Sequence, residues 1–484
     1  MRSKYIHYSN LSGRLDPLYY LSDLTIFTNR QITASIGELC ISIYSGFAAG
    51  KETQVKKENG YIQIRPTNIM SDGRLSLEKN IYVPQNRNYD FIPHKAVLFN
   101  NTNSQELVGK TALLDLPFEG EYYCSNHITV IIPNQARLMP EYLWIMLNLY
   151  QRHNIFYSIC TNWNNQSGVN VNLLKSIRIP IFSKDANVSL DYQRKIVTVW
   201  LEALSVEQTK EHEAKDLLNS IDDYLLSELG IERPSPIRTE NGRFFYTSHK
   251  EVIGKRLDPL AYSEHAKLLK QSITSGKYSC STLKSLIIQE AAGDWGIDVI
   301  DDYDESIYSK CLVLRSTEFS LYHNIVVDNS KAKYRLISNR KLDSIDLHPN
   351  DLIIEKSGGS ENQPVGRIAI ITKDLYERET LCYSNFVQKI RLDNSQVMPT
   401  YACFFLRLVH NMRLTETMQS QTNGIRNLIL SEYYNQQIPV PPIEKQKEII
   451  YHIGTLYNRA KQLQHEATTV FSNAKMEIEQ MILG

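Results

Sequence analysis

The heptapeptides "RLDPLYY" (residues 14–20) and "RLDPLAY" (residues 256–262) share six of seven positions and lie 242 residues apart. Each stands near the start of a long segment in which short apolar runs alternate with polar loops. A peptide that recurs at this distance indicates an internal duplication. Further paired motifs should then follow each copy in the same order.

Paired motifs do follow. "AVLFNNTNSQELVGKTALL" (96–114) and "DLIIEKSGGSENQPVGRIAII" (351–371) each contain an apolar strand, a polar loop and a second strand. Each copy then has a Ser-Asn pair ("YYCSNHITVII" and "LCYSNFVQKIRL"), which we expect inside a strand, an apolar helix and a polar loop that ends in glycine. The sequence therefore predicts two related β-rich globular segments.

Each globular segment precedes a long helical pattern. Gln193 in "DYQRKI" and Gln446 in "EKQKEI" are 253 residues apart, and apolar residues continue from both at heptad spacing. Neither Pro nor Gly occurs from Gln193 to Leu229, so we expect a helix of about 37 residues that ends at Gly230. The seam positions are Ile196, Trp200, Ala203, Ala214, Leu217, Ile221 and Tyr224 in the first copy, and Ile449, Ile453, Leu456, Ala460, Leu463, Ala467, Val470 and Ala474 in the second.

The predicted fold class is α+β. We expect two mixed β-rich domains separated by two long antiparallel coiled-coil helices and related by an internal pseudo-two-fold repeat. The predicted boundaries are 1–184 for the first domain, 185–230 for the central helix, 231–442 for the linker and second domain, and 443–484 for the C-terminal helix.

Composition is that of a globular protein, with 484 residues, 42% hydrophobic residues and seven scattered cysteines. No apolar run approaches the ~18–20 residues of a membrane helix, and the first residues lack the apolar core of a signal peptide. The cysteines are odd in number and never form Cys-x-x-Cys, so we expect a reducing, cytoplasmic location. The net charge of zero argues against a nucleic-acid partner. The charge is uneven, however, since residues 1–180 contain 17 basic and 13 acidic side chains while residues 181–230 contain 5 and 10.

Three stretches resemble catalytic or metal-binding motifs and are incomplete. "SQELVGKT" has Ser104 where a phosphate-binding loop has its first glycine, and "HEAKD" has Asp216 where a zinc helix has its second histidine. "NDLIIEK" (350–356) offers carboxylates, but its first-copy counterpart "HKAVLFN" has none. We therefore predict no catalytic residues and no metal site.

Two non-identical polar-tipped units joined by rigid helices fit an extended ligand in two parts, and double-stranded DNA presents equivalent grooves every ~34–36 Å. Amide and hydroxyl side chains suit base edges, and Lys or Arg suits phosphate or guanine. The candidate DNA contacts are the hairpin tips Asn100, Asn101, Thr102, Asn103, Ser104, Lys110, Lys356, Ser357, Ser360 and Arg367, the loops before the glycines Asn164, Asn165, Gln166, Gln419, Gln421 and Asn423, and the strand arginines Arg65 and Arg315.

Together, the repeated RLDP, the "LFNNTNSQELVGK" hairpin, the "IPxP" connector, the Gln-x-x-Ile helix start and the duplication resemble the specificity subunit of type I restriction–modification enzymes. The resemblance covers nearly the whole chain. It implies two target recognition domains for the halves of a gapped, asymmetric DNA site. It further implies partners, namely two modification methyltransferase subunits and restriction/translocase subunits, with AdoMet, ATP and Mg²⁺ bound by those partners rather than by this chain.

Two other function classes remain open. One is a coiled-coil adaptor that binds only protein, and the other is a nuclease with an unfamiliar site. For RLDP itself a structural role is favoured, because Pro fixes the backbone and Asp can cap the following turn. Direct base contact by Arg14 or Arg256 is the alternative.

Overall fold

The computed structural model describes residues 19–20, 25–29, 31–115, 120–164, 166–234, 248–253, 259–320, 325–328, 330–360, 363–422 and 425–483. Arg14 and Arg256 lie outside these ranges, so the role of the RLDP arginines stays a prediction. Two compact units account for the chain. The first unit is 1–210 with 465–484, and the second unit is 211–464.

The first unit contains twelve of the strands that the structure describes. They are β1 (Thr33–Ser35), β2 (Cys40–Ser45), β3 (Tyr61–Ile64), β4 (Tyr82–Val83), β5 (Val97–Asn100), β6 (Thr102–Asn103), β7 (Thr111–Leu113), β8 (Tyr122–Cys124), β9 (Ile128–Pro133), β10 (Thr161–Trp163), β11 (Gln166–Gly168) and β12 (Arg178–Pro180). The helices are α1 (Ile36–Leu39), α2 (Pro140–Arg152), α3 (Ile155–Ile159) and α4 (Val171–Ser176), with 3-10 turns at Lys51–Thr53, Lys57–Asn59 and Pro66–Asn68. The first long helix, α5 (Ala186–Leu229), begins in this unit, and its residues from 211 onward belong to the second unit.

The second unit repeats these elements. Its strands are β13 (Cys280–Thr282), β14 (Ile287–Ala292), β15 (Tyr308–Leu314), β16 (Tyr334–Ser338), β17 (Leu352–Glu355), β18 (Ser357–Gly359), β19 (Ile368–Ile370), β20 (Leu381–Tyr383), β21 (Val387–Leu392), β22 (Gln419–Thr422), β23 (Ile425–Leu428) and β24 (Gln437–Pro439). Its helices are α6 (His249–Val252), α7 (Glu264–Thr274), α8 (Leu283–Leu286), α9 (Asn339–Ile345), α10 (Lys373–Arg378), α11 (Pro399–Asn411) and α12 (Leu430–Tyr434), with 3-10 turns at Pro259–Tyr262, Ser316–Glu318 and Leu414–Met418. The second long helix, α13 (Ile443–Leu483), begins in this unit, and its residues from 465 onward belong to the first unit.

Sheet topology confirms the duplication. The four-stranded sheets have the orders β2-β9-β5-β7 and β14-β21-β17-β19, and the three-stranded sheets β4-β3-β8 and β16-β15-β20 each contain one parallel pair. The two-stranded pairs β1-β12 and β13-β24 also correspond, as do the small sheets β10-β11-β6 and β18-β23-β22. Among the described residues every sheet of one unit therefore has a counterpart in the other.

A buried glutamine at the start of each repeated helical pattern explains the Gln-x-x-Ile motif. Gln193 is fully buried, and its amide accepts a hydrogen bond from the Met139 main-chain N–H (2.9 Å) and donates to the Arg137 carbonyl (3.0 Å). Gln446 makes the equivalent bonds with Met398 (2.7 Å) and Gln396 (3.1 Å). Because helices α2 and α11 begin directly after Met139 and Met398, each glutamine fixes a long helix to the N-terminus of its unit's apolar helix.

Removing either glutamine should destabilise its unit. Gln193→Ala or Gln446→Ala removes three hydrogen bonds of a fully buried amide, at about 1 kcal/mol for each bond and so about 2–3 kcal/mol in all. For units of this size the loss corresponds to a fall in Tm of roughly 4–12 °C. Thermal unfolding followed by circular dichroism measures it, with the exposed Gln208→Ala on the same helix as the control. If all three variants melted with the wild-type protein, the proposed tether would be wrong.

Both long helices have the predicted heptad seam. Helix α5 spans 44 residues and ends at Gly230, whose φ of +64° allows the Ile231 N–H to bond the Leu226 carbonyl at 2.9 Å. In the first unit Trp200 contacts Phe471, with ring centroids 4.9 Å apart. In the second unit Tyr224 stacks on His452 at 4.0 Å. Lys210 pairs with Glu466 in the first unit, and Glu228 pairs with Lys445 in the second. Within each unit, therefore, residues later in α5 pair with residues earlier in α13, and the predicted antiparallel pairing is confirmed.

The sequence analysis found no apolar run long enough for a membrane helix. None of the helices in the described ranges combines the length and the apolar composition that a bilayer crossing requires.

Candidate nucleic-acid interface

In the first unit, one small sheet combines the hairpin tip and the polar loop that were named as candidate DNA contacts. The hairpin β10–β11 pairs Trp163 with Gln166, and β11 then pairs with β6 through Gly168 and Thr102. The tip at 102–104 and the loop at 161–168 are separate in sequence, so this pairing joins them into one surface.

The second unit builds the same sheet from different side chains. Strand β23 pairs with β22 through Ile425 and Thr422, and with β18 through Asn427 and Ser357. Asn427 thus occupies the place of Gly168, and Ile425 occupies the place of Gln166. The framework is shared, whereas the residues that it presents differ.

Main-chain hydrogen bonds connect each small sheet to a tight turn, which we call the supporting turn. In the first unit the Asn101 N–H donates to the His127 carbonyl (3.0 Å), and the Val169 N–H donates to the Asn101 carbonyl (2.9 Å). In the second unit Lys356 bonds Phe386 (2.7 Å) and Leu428 (2.7 Å) in the same way. The Ser-Asn pairs precede His127 and Phe386 in these turns, so the expectation that they lie inside strands is wrong. The Ile128 N–H donates to the Ser125 carbonyl (3.0 Å) and the Val387 N–H donates to the Ser384 carbonyl (2.9 Å), and these bonds close a turn at each Ser-Asn pair.

Four of the predicted contact residues are exposed on these surfaces. Asn164 adopts a φ of +42° in the hairpin turn, a conformation that asparagine tolerates better than most residues. The others lie at the β11 start or in the hairpin tips, and the set is Ser104, Asn164, Gln166 and Ser360. These side chains can reach a bound ligand without rearrangement of the sheet.

Three predicted residues of the first unit are buried and bonded inside it. Asn100 donates to the Leu107 carbonyl (3.1 Å), and Asn101 donates to the Thr129 hydroxyl (3.0 Å) and the Asn126 carbonyl (3.1 Å). The Lys110 ammonium donates to the Ile69 carbonyl at 2.6 Å, and burial lowers its pKa. These contacts favour a role in holding the loop, and they keep Lys110 away from any phosphate.

Between these residues and the tip, Thr102 donates to the Asn101 side chain (2.8 Å), and the Asn103 side chain accepts from the Ser104 N–H (2.9 Å).

The second unit shows the same division. Arg367 forms a bidentate ion pair with the buried Glu355, with N–O distances of 2.8 and 2.9 Å, and Gln419 is 8% exposed. Ser357 donates to the Asn427 side chain at the sheet. Lys356 is half-buried, and burial, followed by the nearby charge of Lys341, lowers its pKa. The ion pair with Glu355 therefore explains the position of Arg367 without a DNA contact. Ser357 and Lys356 are partly exposed, at the edge of the small sheet's surface.

The two strand arginines have internal partners. Arg65 donates to the Ala49 carbonyl at 2.8 Å, and burial lowers its pKa. Arg315 pairs with Glu318 and also donates to the Lys331 carbonyl at 3.1 Å. An ion pair inside the unit thus accounts for Arg315 without a DNA contact. Asn165 and Asn423 lie outside the described residues, as does the side chain of Gln421, so those predictions stay as they were.

Sequence reasoning missed the large apolar residues on these surfaces. Trp163 is 46% exposed beside the first hairpin turn, Ile425 is 53% exposed beside the second, and Phe386 is 56% exposed in the supporting turn. The sequence signal that could have revealed Trp163 and Ile425 is their position next to a two-residue polar turn, because residues in and beside such loops lie at the protein surface.

The incomplete catalytic motifs have structural explanations in the fold. Asp351 of "NDLIIEK" is 1% exposed and pairs with Arg391 at 2.8 Å, while Glu355 is held by Arg367. His212 of "HEAKD" lies 3.3 Å from Asp216 on the exposed face of helix α5. No cluster of three or more His, Cys, Asp or Glu side chains suited to a metal ion occurs among the residues that the structure describes.

The sequence model of the type I restriction modification DNA specificity domain matches residues 33–213 and 317–469. The chain belongs to this family. The two matched ranges fall one in each half of the duplication, and each contains one small sheet with its supporting turn.

Individual relatives of this specificity-domain chain are distant. Over 132 residues it is 30% identical to a Methanocaldococcus jannaschii protein named as the specificity subunit of the type I restriction enzyme MjaX. That stretch covers 26% of the chain and 31% of the archaeal protein, so the chain matches about a third of this curated relative's length.

Solved structures extend the comparison to the whole fold. One, from work on complex assembly and conformational transition of the type I R-M system, has a TM-score of 0.50 and 15% identity, and the match covers 93% of this chain and 96% of that one. The S subunit of a type I restriction-modification system from M. genitalium gives a TM-score of 0.42 and 12% identity, over 94% and 96% of the two chains. At 15% identity the first likeness shows a shared fold.

Proposed function

We propose that the chain is the DNA sequence-specificity subunit of a type I restriction–modification enzyme. Each unit binds one half of a bipartite, asymmetric, gapped duplex target, and the chain docks two modification methyltransferase subunits and the restriction/translocase subunits. AdoMet, ATP and Mg²⁺ bind to those partners, and this chain performs no catalysis.

One observation carries the proposal. The two units have the same four sheets in the same strand order, yet the exposed residues of their small sheets differ. A shared framework with different exposed chemistry is expected of two modules that recognise different base sequences on one polymer. Family membership supports the same conclusion.

Salt-dependent duplex binding tests the proposal against the adaptor alternative. The chain assembled with a methyltransferase subunit should bind duplex DNA, and log K should fall linearly with log [salt] as phosphate counterions are released. For six phosphate contacts the loss between 50 and 200 mM salt would be about 10³-fold. An assembly that bound no duplex at any salt concentration would favour the adaptor. Methylation or Mg²⁺-dependent cleavage by the rigorously purified single chain would contradict the non-catalytic assignment.

A further inference from the structure

The two small sheets each present one large apolar residue next to the hairpin turn. Residues directly paired across two strands point to the same side of a sheet, and alternate residues along a strand do so too. Trp163 and Gln166 therefore share a face with Thr161, Gly168 and Thr102. That face is the open one, because Thr161, Trp163 and Gln166 are exposed while Val169, on the opposite face, is fully buried.

The second unit has the same arrangement on the same face. Ile425 shares its face with Asn427, Ser420 and Ser357, and Leu428 on the opposite face is 7% exposed. Each open face thus combines hydroxyl or amide groups with a single large apolar side chain. The apolar residue stands on the first hairpin strand in one unit and on the second in the other, at the same distance from the turn.

The geometry limits what Trp163 can do. A Cβ placed on Gly168 would lie 2.4 Å from the Trp163 ring, so the indole rests on the sheet over Gly168 and does not project beyond the turn. A side chain in this position can make flat contact with a groove wall but cannot enter between stacked bases as a wedge. A two-stranded ribbon fits the major groove, where the C5-methyl of thymine is the apolar group that bases display.

We propose that Trp163 and Ile425 each contact the C5-methyl group of a thymine in the major groove, and so select one T·A pair in each half of the target. This inference rests on the proposed function. The neighbouring hydroxyl and amide groups would contact adjacent base edges, while the apolar residue distinguishes thymine from cytosine by its methyl group. Trp163 in addition covers Gly168, so its ring has both a structural role and a recognition role.

Replacing single thymines by deoxyuridine, which removes only the methyl group, tests the inference. The probe is a duplex that carries the motif that the assembly methylates. Its binding to the full chain, assembled with a methyltransferase subunit, is measured. We expect one thymine in each half at which deoxyuridine weakens binding about three- to fourfold, the value of roughly one buried methyl group. Trp163→Ala should abolish this discrimination in one half only, and Ile425→Ala in the other.

Matched controls separate this effect from general damage. Ile41 and Ile288 are exposed isoleucines of strands β2 and β14, away from the small sheets, and Ile41→Ala and Ile288→Ala should leave discrimination in both halves unchanged. Trp163→Phe keeps a ring over Gly168 and should retain most of the discrimination even if Trp163→Ala disturbs the hairpin. Ile425→Val should likewise retain part of it.

Each outcome decides between the claims. A target half without a T·A pair, equal binding of thymine and deoxyuridine duplexes by the wild-type assembly, or a variant that weakens both duplexes equally would overturn the methyl contact and leave the proposed function standing. An assembly without sequence-selective DNA binding would overturn the proposed function itself.

Discussion

Replacing residues 14–180 by the corresponding segment of a relative with another specificity should change one half of the DNA target and leave the other half intact. The exchanged segment contains strands β1 to β12 and therefore the whole first small sheet. The second small sheet, built from residues 357–359 and 419–428, is untouched. Each mismatched base pair costs about 1–3 kcal/mol, so three changed pairs should weaken binding to the original site at least about a hundredfold.

Contacts across the junction favour a folded chimera. Across the junction Gln193 bonds main-chain atoms of Arg137 and Met139, and such atoms are present whatever side chains the donor carries. Its remaining bond, to the Ser189 hydroxyl, lies within the retained part of the chain. Other junction contacts depend on side chains, among them the edge-on packing of Trp144 against Trp200 at 5.6 Å and the ion pair of Arg152 with Glu479 at 3.6 Å. A donor segment with an aromatic residue in the place of Trp144 is therefore the better choice.

Sequencing that detects methylated bases in DNA treated with the assembled chimera measures the result. Exchange of residues 256–439 serves as the reciprocal control and should change the other half. If either exchange altered both halves, independent recognition by the two units would be wrong.

Lengthening the long helices should alter the gap between the half-sites. Each helix runs through the division between the units, at 210/211 in α5 and at 464/465 in α13. Four residues inserted at both places add ~6 Å and turn the apolar seam by only about 40°. Since one base pair occupies ~3.4 Å, the gap should grow by about one or two base pairs with both half-sites retained.

These insertion points follow from contacts in the helices. Gly230 marks the end of the first long helix, but a Cβ there would lie 3.1 Å from Lys277, and Leu229 accepts a hydrogen bond from the Lys277 N–H at 2.8 Å. Inserting residues beside Gly230 would break this packing. Near Lys210 the seam is already polar, since Lys210 pairs with Glu466 at 2.6 Å.

A two-residue insertion at the same places is the control. It turns the seam by about 200° and should lower stability without retuning the gap. The methylated motif before and after insertion is the measurement. A stable, active four-residue variant with an unchanged gap would show that the helices do not set the spacing.

Recurrence was the strongest signal in the sequence, because a duplicated heptapeptide and the Gln193–Gln446 register do not depend on long-range pairing. They predicted two β-rich units, the heptad seam and the stop at Gly230, all of which the structure has. The sequence could not show which polar residues of a loop are buried. Asn101 and Lys110 stand in a polar loop like Ser104, and only the tertiary fold distinguishes the buried pair from the exposed serine.

The small sheets could not be predicted from the sequence either. Strands β6 and β18 have two and three residues, too few to show a period, and their partners lie more than 60 residues away. The sequence analysis named both polar segments of each unit as candidate DNA contacts but did not predict that they pair in one sheet. Trp163 and Ile425 went unnoticed because an isolated apolar residue in a loop is ordinarily taken as core.

The central claim is that this chain supplies sequence specificity to an enzyme assembled around it. The most direct measurement is methylation-sensitive sequencing of unmethylated DNA incubated with AdoMet and the cognate methyltransferase subunit, with and without the chain. The account predicts that one asymmetric, gapped motif becomes methylated when the chain is present and none when it is absent. Methylation of the same motif in both reactions, or of no motif in either, would contradict it.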